Sequence, residues 1–334
     1  MQVAKPGYES ADLLQPASRR EVSLRTLSGA FVDTRRFLGD DGLSSGEGGE
    51  VASNTSRFRS RSGRAAVPRA ALKGINLYYE ELNAAPYWLN PRIPVLFIHG
   101  LSTDHTIWAK QVPAFANERP VVVVDVRGHG RSDKPDGDVY EIAYHVEDML
   151  GLLRYLGFPK THVVGVSMGG MVAQQMALRA PELLASISLV CSSCEPPKEG
   201  ATLEWRLGVF DKAPNLEGYY GPVFRRALAS NVSAEIRDYL YQLAIHNPRP
   251  IQRTGVIATF SYRACEEIRR ITVPTLVVAG EKDGSIPAHL SEQLAARIPN
   301  ALLEILPECG HAPYVEAPDA LNRTLSKFIA QLER

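Results

Sequence analysis

The chain has 334 residues, of which 45% are apolar and 22% are charged, and its basic and acidic side chains balance to a formal net charge of zero. This length and composition fit one α/β domain of roughly 250 residues with additional segments. The balanced charge gives no electrostatic reason to expect binding to nucleic acid or to a membrane. No apolar run approaches the roughly 20 residues that a membrane-spanning helix needs.

The amino terminus lacks the basic segment followed by an apolar segment that is typical of a secretory signal. Four cysteines are too few for a disulfide framework in a chain of this length. Cys191 and Cys194 have a Cys-x-x-Cys spacing, but no second pair or nearby histidine completes a metal site. We therefore expect a protein of the reducing cytoplasm that uses no metal and no cofactor.

Residues 1–70 differ from the rest of the chain, because they are rich in serine, glycine, arginine and aspartate and their apolar patterns are short and broken. Such a segment buries too little apolar surface to form a packed core. Its final part, residues 51–70, carries five arginines and no acidic residue. Two interpretations are open for this part: an arm that binds a polyanion or directs targeting, and a disordered extension, which the composition favours.

A regular alternation of strand and helix patterns begins at residue 71. The predicted strands are short and apolar, the first of them an edge strand, at residues 74–80, 94–98, 120–125, 162–166, 184–191, 274–280 and 301–306. The predicted helices carry apolar residues at helical spacing, and lie from near Trp108 onward and at residues 139–156, 168–178, 287–298 and 317–332. This alternation predicts an α/β fold with a mostly parallel, doubly wound sheet that has helices on both faces.

Residues 196–268 interrupt the alternation. They contain several helical pieces separated by prolines and glycines, and they carry many aromatic side chains. We interpret this segment as a helical cap inserted over the carboxyl edge of the sheet. The α/β core then consists of residues 71–195 and 269–334.

The sequence Gly165-x-Ser167-x-Gly169 joins a predicted strand to a predicted helix. A strand that becomes a helix within one residue forces that residue into a strained backbone, which projects the Ser167 hydroxyl from the carboxyl edge of the sheet. The two glycines lack the Cβ atoms that would collide in so tight a turn. The pattern predicts a nucleophile elbow. The alternative is a glycine-rich turn without chemistry, which suitable partners for the serine would exclude.

Candidate partners for this serine are residues that follow the carboxyl ends of predicted strands, because ligands of doubly wound sheets bind there. His311 follows the last predicted strand and is the best candidate for a general base. Asp283 follows the preceding strand and is the best candidate for the carboxylate that orients the imidazole, with Glu281 and Glu195 as alternatives. The chain order serine, aspartate, histidine agrees with this architecture.

An acyl-transfer site also needs donors for the oxyanion that develops on the attacked carbonyl. The backbone N–H groups of Leu101 and Met168 follow the relevant strands and are predicted to form this oxyanion hole. His99, Trp108 and Trp205 are candidates for substrate binding, although an aromatic residue such as Trp108 fits a core position equally well.

Together these motifs resemble those of the α/β-hydrolase fold family over about residues 71–334. The matching motifs are His99-Gly100, Asp125-x-Arg127-Gly128-His129-Gly130-x-Ser132, Gly165-Val166-Ser167-Met168-Gly169-Gly170, Gly280-x-x-Asp283 and Gly310-His311. Residues 100–111 are also similar to 3-oxoadipate enol-lactonases, which commonly carry Asn-Ser-Leu-Gly where this chain has His99-Gly100-Leu101. Carboxylesterases and carbon–carbon bond hydrolases of the family share nearly all of these motifs. The resemblance implies a cofactor-free serine hydrolase whose helical cap borders an acyl pocket.

The sequence therefore predicts a serine hydrolase that cleaves an ester, lactone or thioester of a small organic molecule through an acyl-enzyme. Two alternatives use the same scaffold: a carbon–carbon bond hydrolase, and a cofactor-free perhydrolase or lyase. A ligand receptor with a vestigial triad is a further alternative. The residues indicate neither the identity of the substrate nor a particular oligomeric state.

Overall fold

The computed structural model describes residues 68–86, 88, 92–197 and 202–334. The predicted amino-terminal extension therefore lies outside the described residues, except for residues 68–70. In the described part of the chain, no helix combines the length and the apolar character needed to cross a membrane.

One sheet of eight strands forms the centre of the described fold. Its strands are β1 Arg69–Leu72, β2 Ile75–Leu82, β3 Val95–Ile98, β4 Val121–Val124, β5 Thr161–Val166, β6 Leu184–Val190, β7 Thr275–Gly280 and β8 Leu302–Leu306. They lie in the order β1-β2-β4-β3-β5-β6-β7-β8. The hairpin of β1 and β2 at one edge is antiparallel, as is the pairing of β2 with β4, and all further pairs are parallel. The prediction of a mostly parallel sheet is confirmed.

Ten α-helices are present in the described residues. They are α1 Val112–Ala116, α2 Ile142–Leu156, α3 Met168–Arg179, α4 Leu203–Lys212, α5 Leu216–Ala227, α6 Ala234–Ile245, α7 Arg249–Ser261, α8 Ala288–Arg297, α9 Pro313–Glu316 and α10 Pro318–Leu332. Short 3-10 turns lie at His105–Trp108, Pro181–Leu183 and Glu267–Arg270. The helix predicted from Trp108 is thus one such turn followed by α1. The turn begins earlier than predicted, because Asp104, four residues before Trp108, caps it.

Apolar layers cover both faces of the sheet. In β3, Leu96 and Ile98 join the layer beneath α2 and α3, whereas Val95 and Phe97 join the layer beneath α10. Each residue of β3 is fully buried. This burial on both faces explains why the sequence of the strand is a continuous apolar run without polar alternation.

Helices α4 to α7 are inserted between β6 and β7 and form the cap. Phe210, Tyr219, Tyr220 and Val256 make a buried apolar cluster within the cap itself. Leu240 of α6 instead joins an apolar layer of the sheet. Aromatic side chains of the cap therefore pack against one another, and the cap also contacts the body through apolar side chains such as Leu240.

Cys194 and Cys265 form a disulfide with a Cα–Cα separation of 4.9 Å, and 71 residues separate them along the chain. The bond joins the segment that enters the cap to the segment that leaves it. Closing so long a loop stabilises the folded state by roughly 4 kcal/mol in the chain-entropy argument. The sequence analysis did not predict this bond, and it does not favour the predicted reducing compartment, because structural disulfides are rare in cytoplasmic proteins.

Candidate active site

Ser167 lies at the junction of β5 and α3 with φ of 53° and ψ of −115°, a strained conformation for a residue with a side chain. A Cβ atom at Gly165 would lie 2.2 Å from the carbonyl oxygen of Gly169. A Cβ atom at Gly169 would lie 2.3 Å from the carbonyl oxygen of Ile98. Close backbone contact therefore requires both glycines, for the physical reason that the sequence pattern suggests.

Asp283 and His311 lie in the loops that follow β7 and β8, and their side chains are in contact. The Nδ1 atom of His311 lies 2.7 Å from Oδ2 of Asp283. The other oxygen of the buried carboxylate accepts hydrogen bonds from the backbone N–H groups of Ser285 and Ile286, at 2.7 and 2.8 Å. These hydrogen bonds fix the position of the carboxylate. Because the carboxylate binds Nδ1, Nε2 is the imidazole nitrogen that remains free.

Two effects act on the protonation of His311 in opposite directions. Burial disfavours the imidazolium, but the charge of Asp283 and its hydrogen bond favour it more strongly. The pKa of His311 is consequently raised above its ordinary value of 6.5.

Neither alternative carboxylate takes the place of Asp283 in this geometry. Glu281 is exposed, lies 3.4 Å from the ammonium of Lys282, and accepts a hydrogen bond from the backbone of Glu308. Glu195 lines a separate depression together with Arg263.

Ser167 and His311 line a common cavity that has walls from both the body and the cap. Leu101 contributes to the body side of the cavity, and Phe224 to the cap side. Within the described residues, the hydroxyl of Ser167 and the imidazole of His311 are not hydrogen-bonded to each other. Hydrogen bonds between catalytic groups are often long before a substrate is bound.

The predicted oxyanion donors lie beside the serine. A Cβ atom at Gly100 would lie 3.2 Å from the Cβ atom of Ser167, so the peptide between Gly100 and Leu101 approaches the serine closely. Met168 follows the serine directly and opens α3, where backbone N–H groups have no acceptor within the helix. Among the hydrogen bonds of the described residues, none is donated by the backbone N–H of Leu101 or of Met168. Both groups are therefore available to an anionic oxygen.

A buried polar network connects the loop after β3 to the cap. The hydroxyl oxygens of Ser102 and Tyr220 lie within hydrogen-bonding distance of each other, and they lie 2.8 and 2.7 Å from Oε1 of Gln252. Because each hydroxyl has a single proton, one hydroxyl donates to the other, and the second donates to Oε1. The amide nitrogen of Gln252 donates to the backbone oxygen of Ala244 at 3.0 Å. Sequence analysis missed these residues because no local motif connects positions so far apart along the chain.

His99 does not reach the cavity, which corrects the expectation that it binds substrate. The side chain is fully buried, its Nδ1 atom donates to the backbone oxygen of Gly100 at 2.7 Å, and its Nε2 atom accepts from the backbone of Val126 at 3.0 Å. Burial lowers the pKa of His99, so the ring is neutral. Its position indicates a role in orienting the peptide that precedes Leu101.

Neither candidate tryptophan lines the cavity, which corrects two further expectations. Trp108 is fully buried between Phe97 and Tyr314, with ring centroids 4.9 and 5.7 Å away. Trp205 is 49% exposed on α4. The 3-10 turn directs Trp108 into the core beneath β3. On α4, the neighbouring residue Arg206 takes the place in the cavity wall that Trp205 was expected to have.

The turn after β4 is held by hydrogen bonds of buried charged side chains. The buried carboxylate of Asp125 contacts Nδ1 of His105 at 2.7 Å and accepts from the backbone of Arg131 at 2.7 Å. Arg127 donates two hydrogen bonds, each of 2.7 Å, to the carboxylate of Asp148 on α2. These contacts hold the turn in place, and neither Asp125 nor Arg127 lines the cavity.

The carboxylate of Glu316 on α9 holds the loop that carries His311, another feature that no sequence motif indicates. It accepts hydrogen bonds from the backbone N–H groups of Gly310 and Ala312, at 2.9 and 2.8 Å. A third hydrogen bond, from the backbone of Ala229 at 3.0 Å, connects the loop between α5 and α6 of the cap to the same carboxylate.

Two clusters of the described residues place potential metal ligands close together. The first consists of Cys191, Asp283 and His311, and the second of Asp104, His105 and Asp125. In each cluster a carboxylate is already hydrogen-bonded to the imidazole, so the pairs satisfy each other. We assign no metal to either cluster.

The fold and the site define the class of the protein. A family model for the alpha/beta hydrolase fold matches residues 93–318. The chain belongs to this family, as its motifs predicted, and its relatives support a hydrolase activity.

Three similar proteins illustrate the relationship. The chain is 30% identical over 259 residues to a protein named as a carbamate hydrolase, RutD of Caulobacter sp. (strain K31), and the match covers 75% of this chain and 95% of that protein. A hydrolase from Pseudomonas aeruginosa PA01 superposes with a TM-score of 0.71 at 26% identity, covering 79% of this chain and 98% of its own. The enol-lactonase from Burkholderia xenovorans LB400 has a TM-score of 0.72 at 24% identity, covering 79% and 100%, and shows the fold alone.

Proposed function

We propose that the protein is a serine hydrolase that attacks the acyl carbonyl of a small organic ester, lactone, thioester or carbamate. One observation carries this proposal. The strained serine Ser167 and the imidazole of His311 line the same cavity, and a buried carboxylate orients that imidazole. These three side chains belong to loops that are far apart along the chain. The name of the relative from Caulobacter, a carbamate hydrolase, supports acyl chemistry at this site.

The proposed reaction has two steps. In the first, Nε2 of His311 takes the hydroxyl proton of Ser167 while the serine oxygen attacks the carbonyl carbon, and the N–H groups of Leu101 and Met168 stabilise the oxyanion. The leaving group departs with that proton, and an acyl-enzyme remains. In the second step His311 takes a proton from water, whose oxygen attacks the acyl carbonyl. The bond between the acyl carbon and the oxygen of Ser167 then breaks, His311 returns the proton to that oxygen, and the acid is released. Asp283 stabilises the imidazolium in both steps.

Covalent labelling tests this proposal directly. We expect a fluorophosphonate probe to label the protein once, at Ser167, because the imidazole activates only this hydroxyl. Mass spectrometry of the digested protein locates the label. Ser193 and Ser285 line the same cavity and provide matched controls, since the variants Ser193→Ala and Ser285→Ala should label as the unaltered protein does. Labelling at another serine, or none at all, would contradict the proposal.

The raised pKa of His311 sets the pH dependence of the reaction. The imidazole acts as a base only when it is neutral, so activity is lost as the pH falls below its pKa. Because Asp283 raises that pKa, we expect kcat/KM for a neutral aryl ester to rise with pH through a midpoint above 6.5. Rates measured from pH 5 to pH 9, after subtraction of spontaneous hydrolysis, give this midpoint.

The variant Glu281→Gln serves as the control for this pH profile. It removes an exposed carboxylate near the site that does not contact His311, so the midpoint should stay where it is. A midpoint below 6.5 in the unaltered protein, or a profile without an acidic limb, would show that another group serves as the base.

A further inference from the structure

Arg206 of α4 is a charged side chain in the wall of the cavity that contains Ser167 and His311. Only 9% of its surface is exposed. Its Nε atom is buried without a hydrogen-bond partner, and no acidic residue in the described part of the chain forms an ion pair with it. Buried charges in folded proteins are ordinarily paired, so we expect an anion from outside the chain to bind this guanidinium.

The neighbours of Arg206 do not neutralise its charge. The guanidinium lies 4.7 Å from the ring centroid of Phe260 and 5.7 Å from that of Trp205. Tyr219 is its polar neighbour: burial raises the pKa of this phenol, and both the positive charge of Arg206 and a hydrogen bond from its side chain oppose the rise. A second cation, Arg226, lies near enough for Arg206 to contribute to the lowering of its pKa, after burial. The surroundings of Arg206 are thus aromatic or positive.

The remaining wall of the cavity has no negative charge. Among the described residues that line it, Arg206 alone carries a fixed charge, His311 is titratable, and no aspartate or glutamate is present. Apolar side chains such as Met171, Val223 and Ile286 form much of the surface. Low-dielectric walls around a single cation favour an anionic ligand with an apolar body.

We propose that Arg206 determines substrate specificity by binding a carboxylate of the substrate, so that the preferred substrates are acyl compounds that carry a free carboxylate in addition to the carbonyl that is attacked. A planar guanidinium presents parallel N–H groups that match the two oxygens of a carboxylate. The rings of Phe260 and Trp205 lie against the guanidinium, and neither offers an oxygen or nitrogen acceptor for its N–H groups. This inference rests on the proposed function, because Arg206 shares its cavity with Ser167.

A pair of esters with equal chain length tests the inference. The 4-nitrophenyl monoester of adipic acid carries a terminal carboxylate, and 4-nitrophenyl hexanoate carries a methyl group in its place. We expect kcat/KM to be about tenfold to a hundredfold higher for the adipate ester, since charge-assisted bidentate hydrogen bonds are strong ones. A third ester with a terminal phosphonate distinguishes a carboxylate site from a site for phosphorylated compounds, and should be the poorer of the two anionic substrates.

The variant Arg206→Met keeps an apolar side chain of similar length and removes the charge. It should lose the preference for the adipate ester and hydrolyse the hexanoate ester as before, which also shows that it is folded. Arg206→Lys should recover part of the preference. Arg225→Met, which removes an exposed arginine of α5, is the matched control and should leave both rates unchanged.

Labelling adds a measurement that does not depend on turnover. Millimolar adipate should slow fluorophosphonate labelling of the unaltered protein, whereas 1,6-hexanediol should not, and Arg206→Met should lose the protection. If both esters are hydrolysed equally well and adipate gives no protection, the inference about Arg206 is wrong while the proposed hydrolase function stands. Absence of labelling at Ser167 would instead remove the function on which the inference rests.

Discussion

Replacing Ser167 with alanine should lower kcat for a short aryl ester by about 10⁵-fold to 10⁶-fold, the loss seen when the nucleophile of a serine triad is removed. The variant keeps the Cβ atom and the strained backbone of the elbow, and loses only the oxygen that forms the acyl-enzyme. The expected loss therefore reflects chemistry and not unfolding. Steady-state kinetics at pH 8, together with the melting temperature of the variant, separate the two explanations.

The variant Ser193→Ala supplies the comparison for this prediction, because it removes a hydroxyl from the same cavity wall. It should keep its activity within a fewfold of the unaltered protein. Retention of substantial esterase activity in Ser167→Ala would mean that another nucleophile, or a directly activated water, performs the reaction.

Replacing Asp283 with asparagine should lower kcat by about 10⁴-fold, the loss seen when a triad aspartate is made neutral. The amide cannot stabilise the imidazolium by charge, and it favours the wrong tautomer of His311. Without the carboxylate, burial lowers the pKa of the imidazole and only the smaller effect of the Glu316 charge opposes it, so the acidic limb of the pH profile should also move to lower pH. Measurement of kcat/KM over the same pH range as for the unaltered protein tests both effects.

Glu281→Gln is the matched control for Asp283→Asn, since it changes a carboxylate two positions away in the same loop. Glu281 pairs with Lys282 at the surface, and its loss should change kcat by less than a factor of about three, as for other exposed pairs. Equal losses in the two variants would show that the loop as a whole, and not the hydrogen bond to His311, matters for the reaction.

Local patterns in the sequence predicted the elbow correctly in its physical detail. The strain at Ser167 and the need for glycine at 165 and 169 follow from a strand that turns into a helix within one residue, and these constraints act over only five positions. The contact between Asp283 and His311 was also predictable, because the topology of parallel strands brings the loops after β7 and β8 to one edge.

Residue type alone did not predict which side chains line the cavity. Trp108 packs between two aromatic rings in the core, and His99 is enclosed by the backbone that it orients. A tryptophan or histidine near a strand end fits either place, since both environments offer apolar contacts and hydrogen-bond partners. The path of the backbone through the 3-10 turn decides between them.

By itself, the sequence determined the class of fold, the strained serine and the order of the three predicted catalytic side chains, because each of these depends on a local pattern or on strand topology. Only the tertiary structure decided what surrounds them: the network of Ser102, Tyr220 and Gln252, the disulfide across the base of the cap, and the buried charge of Arg206. These features arise where the inserted helices pack on the sheet. Such packing depends on contacts between residues tens to more than a hundred positions apart, which no short pattern records.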